Sequence, residues 1–180
     1  RARVVAAWTK GALAEHAAVA SFNRFAMELM SLGAPPELLT DTLQGAQDEV
    51  VHARDCFTVA SAVGGVAVSP GPLPVGGSLD DLSVEGILTR LLQEGCVDET
   101  VSTAQAARRL AGAQDPLVVS VLGRIVADET RHAALAWRSA RWILSQHPEL
   151  RPLARAVLEA AMTPEPAVAS AASPAGLRAY

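Results

Sequence analysis

Two short motifs carry the residue types from which a metal centre can be built. Glu49-Val50-Val51-His52 and Glu129-Thr130-Arg131-His132 are both Glu-x-x-His. On an α-helix, positions i and i+3 share one face about one turn apart. The carboxylate and the imidazole of each motif can therefore reach a single cation. An aspartate precedes each motif, Asp48 and Asp128, and a lone glutamate lies upstream of each: Glu15 is 34 residues before Glu49, and Glu94 is 35 before Glu129. The order Glu, Glu-x-x-His, Glu, Glu-x-x-His supplies four carboxylates and two imidazoles, the donor set of a two-metal site inside a four-helix bundle. Four buried carboxylates would repel one another unless divalent cations neutralised them. One such motif alone reads as ordinary helix surface charge; two in register, each with a partner glutamate, do not.

These residues need long helices to position them, and the hydrophobic periodicity predicts such helices. Residues 3–32 form the first, with Val4, Val5, Trp8, Ala12, Glu15, Val19, Phe22, Ala26 and Leu29 at three- and four-residue steps. Gly33-Ala34-Pro35-Pro36 stops it, and Pro36 suits the first turn of the next. The second spans 36–63, carries Leu39, Leu43, Ala46, Glu49, Val50, Ala53, Phe57 and Ala60, and ends at Gly64-Gly65. Residues 64–80 are rich in proline and glycine and cannot form a regular helix. At roughly 3.3 Å per residue they can run the length of a 30-residue helix, so they read as a crossover connection, not a domain linker. A third helix is predicted over 82–112, with Leu82, Ile87, Leu91, Glu94, Val97, Val101 and Ala104 on one stripe. Asp115 and Pro116 then cap and open a fourth that runs to about 146. A short fifth helix comes after it over 149–162. The expected domain is 1–162, with residues 163–180, rich in Pro, Ala and Ser, as a flexible tail.

Composition narrows the function classes. Half of the 180 residues are hydrophobic and only 4% aromatic, which favours helix packing over a sheet. The net charge of −4 and the lack of a basic block argue against a nucleic-acid partner. Cys56 and Cys96 form no C-x-x-C pair, which excludes a zinc ribbon or rubredoxin-type iron site within this chain. No apolar run reaches the roughly 20 residues of a membrane span, and no signal peptide is visible, so a cytoplasmic location is expected. The first residue is Arg1 and not Met, so residues upstream are expected to be missing.

The six-residue pattern over residues 3–146 resembles the ferritin-like di-iron carboxylate superfamily, which includes bacterioferritin- and rubrerythrin-like four-helix bundles. The resemblance implies an all-α ferritin-like bundle with a long crossover between helices 2 and 3, plus the short C-terminal helix. It implies that Glu15 and His52 bind one iron, that Glu94 and His132 bind the other, and that Glu49 and Glu129 bridge them. Two iron ions, or a manganese–iron pair, would be the cofactor. Asp-Glu-Thr-Arg-His is similar to the Asp-Glu-x-Arg-His form of several oxygen-activating members. In these the aspartate holds the histidine of the opposite half through its free ring N–H, a role carried here to Asp48 and Asp128. Departures from the pattern matter too. Val50 stands where bacterioferritin-like proteins carry their haem methionine, so no haem is expected, and Val97 replaces an extra glutamate of rubrerythrins.

What the resemblance implies about activity is a di-iron oxidoreductase acting on O2 or peroxide, as oxidase or peroxidase or as monooxygenase. An unidentified electron donor, a small organic substrate and a homodimer are all compatible with it. The alternatives are a ferroxidase and iron-storage protein of bacterioferritin type, and a bundle with a purely structural dimetal site. Among other residues, Asp98 is weighed as an extra ligand or proton relay, and Arg131 as either a carboxylate partner or a surface ion pair. His16 is read as structural, Cys56 as a buried free thiol, and Trp8 and Phe22 as core. Tyr180 is too near the end of the chain for a radical role. Ala18, Val19, Gly45 and Gly95 are small residues that would leave room near the ligands.

Overall fold

A computed structural model describes residues 1–163. The order of elements is α1 (Ala2–Ser31), α2 (Pro36–Gly64), α3 (Val84–Arg90), a π-helical stretch (Leu91–Asp98), α4 (Glu99–Gly112), α5 (Pro116–Gln146), a 3₁₀ turn (Pro148–Leu150) and α6 (Arg151–Met162). α3, the π stretch and α4 join end to end without a break, so the chain has four long helical rods and a short last helix. No strand occurs among the described residues. No helix among them is long and apolar enough to cross a membrane. The expected tail from 163 lies, apart from its first residue, outside the described residues, and so does Tyr180.

The ends of the rods obey the predicted chemistry. Gly33 (φ 70°) and Gly65 (φ 76°) take the left-handed conformation that closes a helix without a Cβ clash. Pro35 precedes α2 in extended conformation and Pro36 opens it. Asp115 caps α5 by accepting from the amides of Leu117 (2.9 Å) and Val118 (3.2 Å). The third rod starts later than expected, at Val84, because the Ser83 hydroxyl accepts from the Gly86 amide and sets the boundary there.

α1 packs along α2, α4 along α5, and α2 along α5. Asp48 faces His132 and His52 faces Asp128, so α2 and α5 run antiparallel. The segment between α2 and α3 therefore returns the chain along the bundle, as a crossover does. One part of the core joins Ile87, Leu88, Leu92 and Cys96 to Ala140 and Ile143, with Leu150 and Ala154 of the last turn and α6 closing it. At the other end Ala12, Cys56, Phe57 and Val59 pack with Val121 and Ile125.

The predicted stripes need correction in three places. Val4, in the first turn of α1, is about half exposed. Leu43 and Val50 are about half exposed, because α2 uses Leu38, Thr42, Gly45, Ala46 and Glu49 against its neighbours instead. In the third rod Val101 is about half exposed and Ala104 is exposed, because the π stretch rotates everything beyond it; Leu82, also about half exposed, lies before the rod begins. Glu28, which the apolar pattern did not mark, is 1% exposed. It accepts from Arg90 at 2.8 Å and lies 3.5 Å from Arg24, which ties α1 to α3.

Removing one partner of a buried ion pair strands the other charge. Arg90→Ala should therefore cost about 3 kcal/mol, the low end of the usual range, since Arg24 stays near Glu28. Arg138→Ala breaks only the half-exposed pair with Asp41 and should cost under ~1 kcal/mol. Urea unfolding of both variants measures the difference; equal midpoints would refute the buried role of Arg90.

Candidate metal centre

The two Glu-x-x-His motifs face each other at mid-height of α2 and α5. Glu49, His52, Glu129 and His132 are each at most 3% exposed. His52 turns Nδ1 inward, 3.5 Å from both Glu49 and Glu129 and 3.8 Å from Glu15. His132 does the same from the other side, with Nδ1 3.1 Å from Glu49 and 3.9 Å from Glu129. Both central glutamates thus lie between the two imidazoles. One group of donor atoms, from Glu15, Glu49, His52 and Glu129, falls within 4.8 Å of one another; a second joins Glu99, Glu129 and His132.

The outward ring nitrogens are cross-paired. His52 Nε2 is 2.9 Å from Asp128, and His132 Nε2 is 3.2 Å from Asp48. Each aspartate serves the histidine of the other motif, as the resemblance implied. With Nε2–H donated to a carboxylate, Nδ1 is the ring nitrogen that faces the cluster. Arg131 clamps the pair: its guanidinium donates to Asp48 at 3.1 Å and reaches Asp128 at 2.8 Å, from a side chain 58% exposed. The carboxylate partner and the surface ion pair weighed for this residue are the same contact.

Glu94 is not in the cluster. It sits on the π stretch, 45% exposed, and forms an ion pair with Arg24 of α1. Glu99, five residues on, occupies the place expected of it. The reason is the i→i+5 bonding of Leu91–Asp98, which puts an extra residue into the turn and shifts the face of the helix beyond it. A signal for Glu99 exists in the sequence. In an antiparallel hairpin, residues equally far from the turn share a height at ~1.5 Å per residue. Glu129 lies 13 residues after Pro116 (129 − 116), and Glu99 lies 13 before Gly112 (112 − 99), whereas Glu94 lies 18 before it (112 − 94). Equal spacing to the upstream glutamate, which pointed to Glu94, assumed an unbroken α-helix.

The electrostatics show what the cluster lacks. Burial, then Glu49, pushes the Glu15 carboxyl up to about 9. Burial, then hydrogen bonding with Glu129, pushes Glu99 up to about 11. Burial opposes charge on His52, but the adjacent Glu129 and Glu49 prevail and raise it to about 11. His132 is raised against the same opposition from burial, chiefly by Glu49. Protons stand where positive charge is needed. Five buried atoms have no hydrogen-bond partner here: both Glu49 oxygens, Glu129 Oε2, and Nδ1 of both histidines. Buried polar atoms are rarely left so. These atoms converge, and as oxygen and imidazole donors they fit divalent iron or manganese.

The other candidates lie around this centre. Phe22 packs edge-on to His132 at 4.8 Å between ring centroids, and Gly45 makes room for it, since a Cβ there would collide with the ring. Asp98 is in neither donor group. His16 and Val19 line a groove that α1 shares with α2 and the start of the crossover segment. Trp8 packs in the core near Phe57. Cys56 is buried, its thiol pushed up to about 12 by burial and then by Glu15. Ala18 and Gly95 do border open space, a cavity of about 430 Å³ that reaches the cluster from between α1 and the third rod. Neither a family model nor a curated protein nor a solved structure matches this chain.

Two outcomes are expected. Glu99→Gln should weaken any metal binding by the Glu99, Glu129 and His132 group by at least roughly tenfold, the scale of lost metal-site groups, while Glu94→Gln leaves metal binding unchanged. Dialysis with metal quantification reads this, and the reverse pattern would reinstate Glu94. Metal entry must also displace protons from Glu15, Glu99 and the histidines. Loading the metal-free chain in weak buffer should acidify it, and apparent affinity should climb as pH rises toward about 9, the Glu15 value. A pH-independent affinity would contradict the protonated cluster.

Proposed function

We propose that the chain is a ferritin-like di-iron oxidoreductase that activates O2 or peroxide. The observation that carries this reading is the convergence of unpaired inward donors from two Glu-x-x-His motifs on one buried point. Glu15, Glu49, His52 and Glu129 would hold metal as one group of donors, and Glu99, Glu129 and His132 as a second. Asp48, Asp128 and Arg131 orient the imidazoles. Iron bound in such a set supplies reversible one-electron chemistry at each ion.

The chain's own residues govern access to the centre and the freedom of its donors. The histidines, aspartates and Arg131 close one side. On the other side Glu15, Glu49, Glu99, Glu129 and one edge of His132 border the cavity, which gives a small oxidant an approach. A carboxylate with few fixed partners could turn to suit a bound cation. Glu15 and Glu99, each contributed by an outer rod, are the two best placed to do so. A storage role would need an interior compartment built by many copies. A structural role would need no approach from the cavity side.

The test is anaerobic Fe(II) titration of the metal-free protein, then an O2 pulse. Saturation at two irons per chain, and a fast ferric absorption in the near ultraviolet, are expected. Binding without reaction would point to a structural site, and a very large assembly that accumulates ferric iron would point to storage.

A further inference from the structure

The cavity beside the cluster has features that activation of O2 alone does not require. Its volume of about 430 Å³ falls within the ~300–1,000 Å³ typical of small-molecule sites and far exceeds that of a diatomic oxidant. One wall is the α1 face of Ala14, Ala17, Ala18 and Ser21; the other is Leu91, Gly95 and Ser102 of the third rod. Phe22 and Phe25 and, from α5, Leu135 and Ala136 add apolar surface near the floor. The floor itself is the edge of the Glu/His cluster.

The mouth decides which molecules can enter. Arg24 pairs with Glu28 and with Glu94, and the second pair ties α1 to the π stretch. Arg90 pairs with Glu28 and Asp81. Both guanidinium groups are thus engaged by carboxylates. An anion would leave water without gaining a free counter-charge, which costs several kcal/mol, and a cation could meet only Asp98, which is exposed so that solvent screens the pair. An anion would also meet the carboxylate of Asp98, which lines the cavity. An uncharged molecule loses little, gains apolar contact along both walls, and finds the hydroxyls of Ser21 and Ser102 for one polar group.

We propose that this cavity is the substrate site for an uncharged, largely apolar organic molecule about the size of a two-ring aromatic, held with one edge against the Glu/His cluster. The proposal rests on the oxidoreductase reading and narrows it from oxidase or storage chemistry to oxidation of an organic compound.

The experiment uses the full chain loaded with Zn(II), which binds without redox turnover, and three probes of one shape: indole, indole-3-acetate and tryptamine. Calorimetric titration should show saturable indole binding, with both charged analogues at least tenfold weaker. Ala18→Phe, which fills one wall, should weaken indole at least tenfold. Ser102→Phe does the same from the opposite, more exposed wall and guards against a folding defect in the first variant. Neither should alter metal stoichiometry. With Co(II) in place of Zn(II), paramagnetic broadening of the indole proton signals should report contact with the metal-loaded floor. No saturable indole binding, equal or tighter binding of either charged analogue, or indifference to both substitutions would overturn the proposal. Sharp indole signals in the Co(II) form would overturn the placement against the cluster. Indole binding to a chain that takes up no metal would refute the metal reading and, with it, the substrate role, while supporting the cavity as a ligand site.

Discussion

Carboxylates cannot be gathered in a helical core without something positive among them, and the middle of this bundle is built around that constraint. Glu49 and Glu129 are almost fully buried and face each other through two imidazoles, with Glu15 and Glu99 at the flanks. Without cations the cluster solves the problem with protons, on the flanking glutamates and on the histidines. The remaining structure supports this arrangement. Long rods deliver each donor at the right height. Small residues let the rods approach, and the aspartates and Arg131 hold the rings so that their inward nitrogens stay committed to the centre.

The two sides of the cluster are unequal. Toward α2 and α5 the outward polar groups are matched: each outer ring nitrogen to an aspartate, and each aspartate to Arg131. Toward α1 and the third rod the packing opens. The π stretch lies on that open side. It carries Glu94 at the cavity mouth, places Glu99 at the floor, and sets Gly95 so close to Ala136 that an added methyl group would press on it. One irregularity in hydrogen bonding thus controls both a donor residue and the width of the approach to it.

Much of this was legible in the sequence. The four long rods, their proline and glycine boundaries, the crossover and five of the six residues that meet in the Glu/His cluster emerge from periodicity and spacing, because a buried polar residue on an apolar stripe interrupts a strong pattern. The cross-pairing of Asp48 with His132 and Asp128 with His52 was legible too, although only through the resemblance. Glu99 was not, since reading periodicity assumes a constant number of residues per turn and the π stretch breaks that assumption. Glu28 escaped for a different reason. A carboxylate on an apolar face looks like a boundary of the stripe until its arginine partners, 62 residues away in the case of Arg90, are brought beside it.

The crossed aspartate–histidine pairs have a consequence for how the centre comes into being. Each hairpin, α1–α2 and α4–α5, holds its own Glu-x-x-His but borrows from the other the acceptor that fixes the orientation of its imidazole ring. A hairpin on its own would leave that ring free to turn, and its donor set would be poorly defined. Only when the two hairpins dock do both rings commit. Any metal affinity of the cluster would therefore belong to the closed bundle and to neither half.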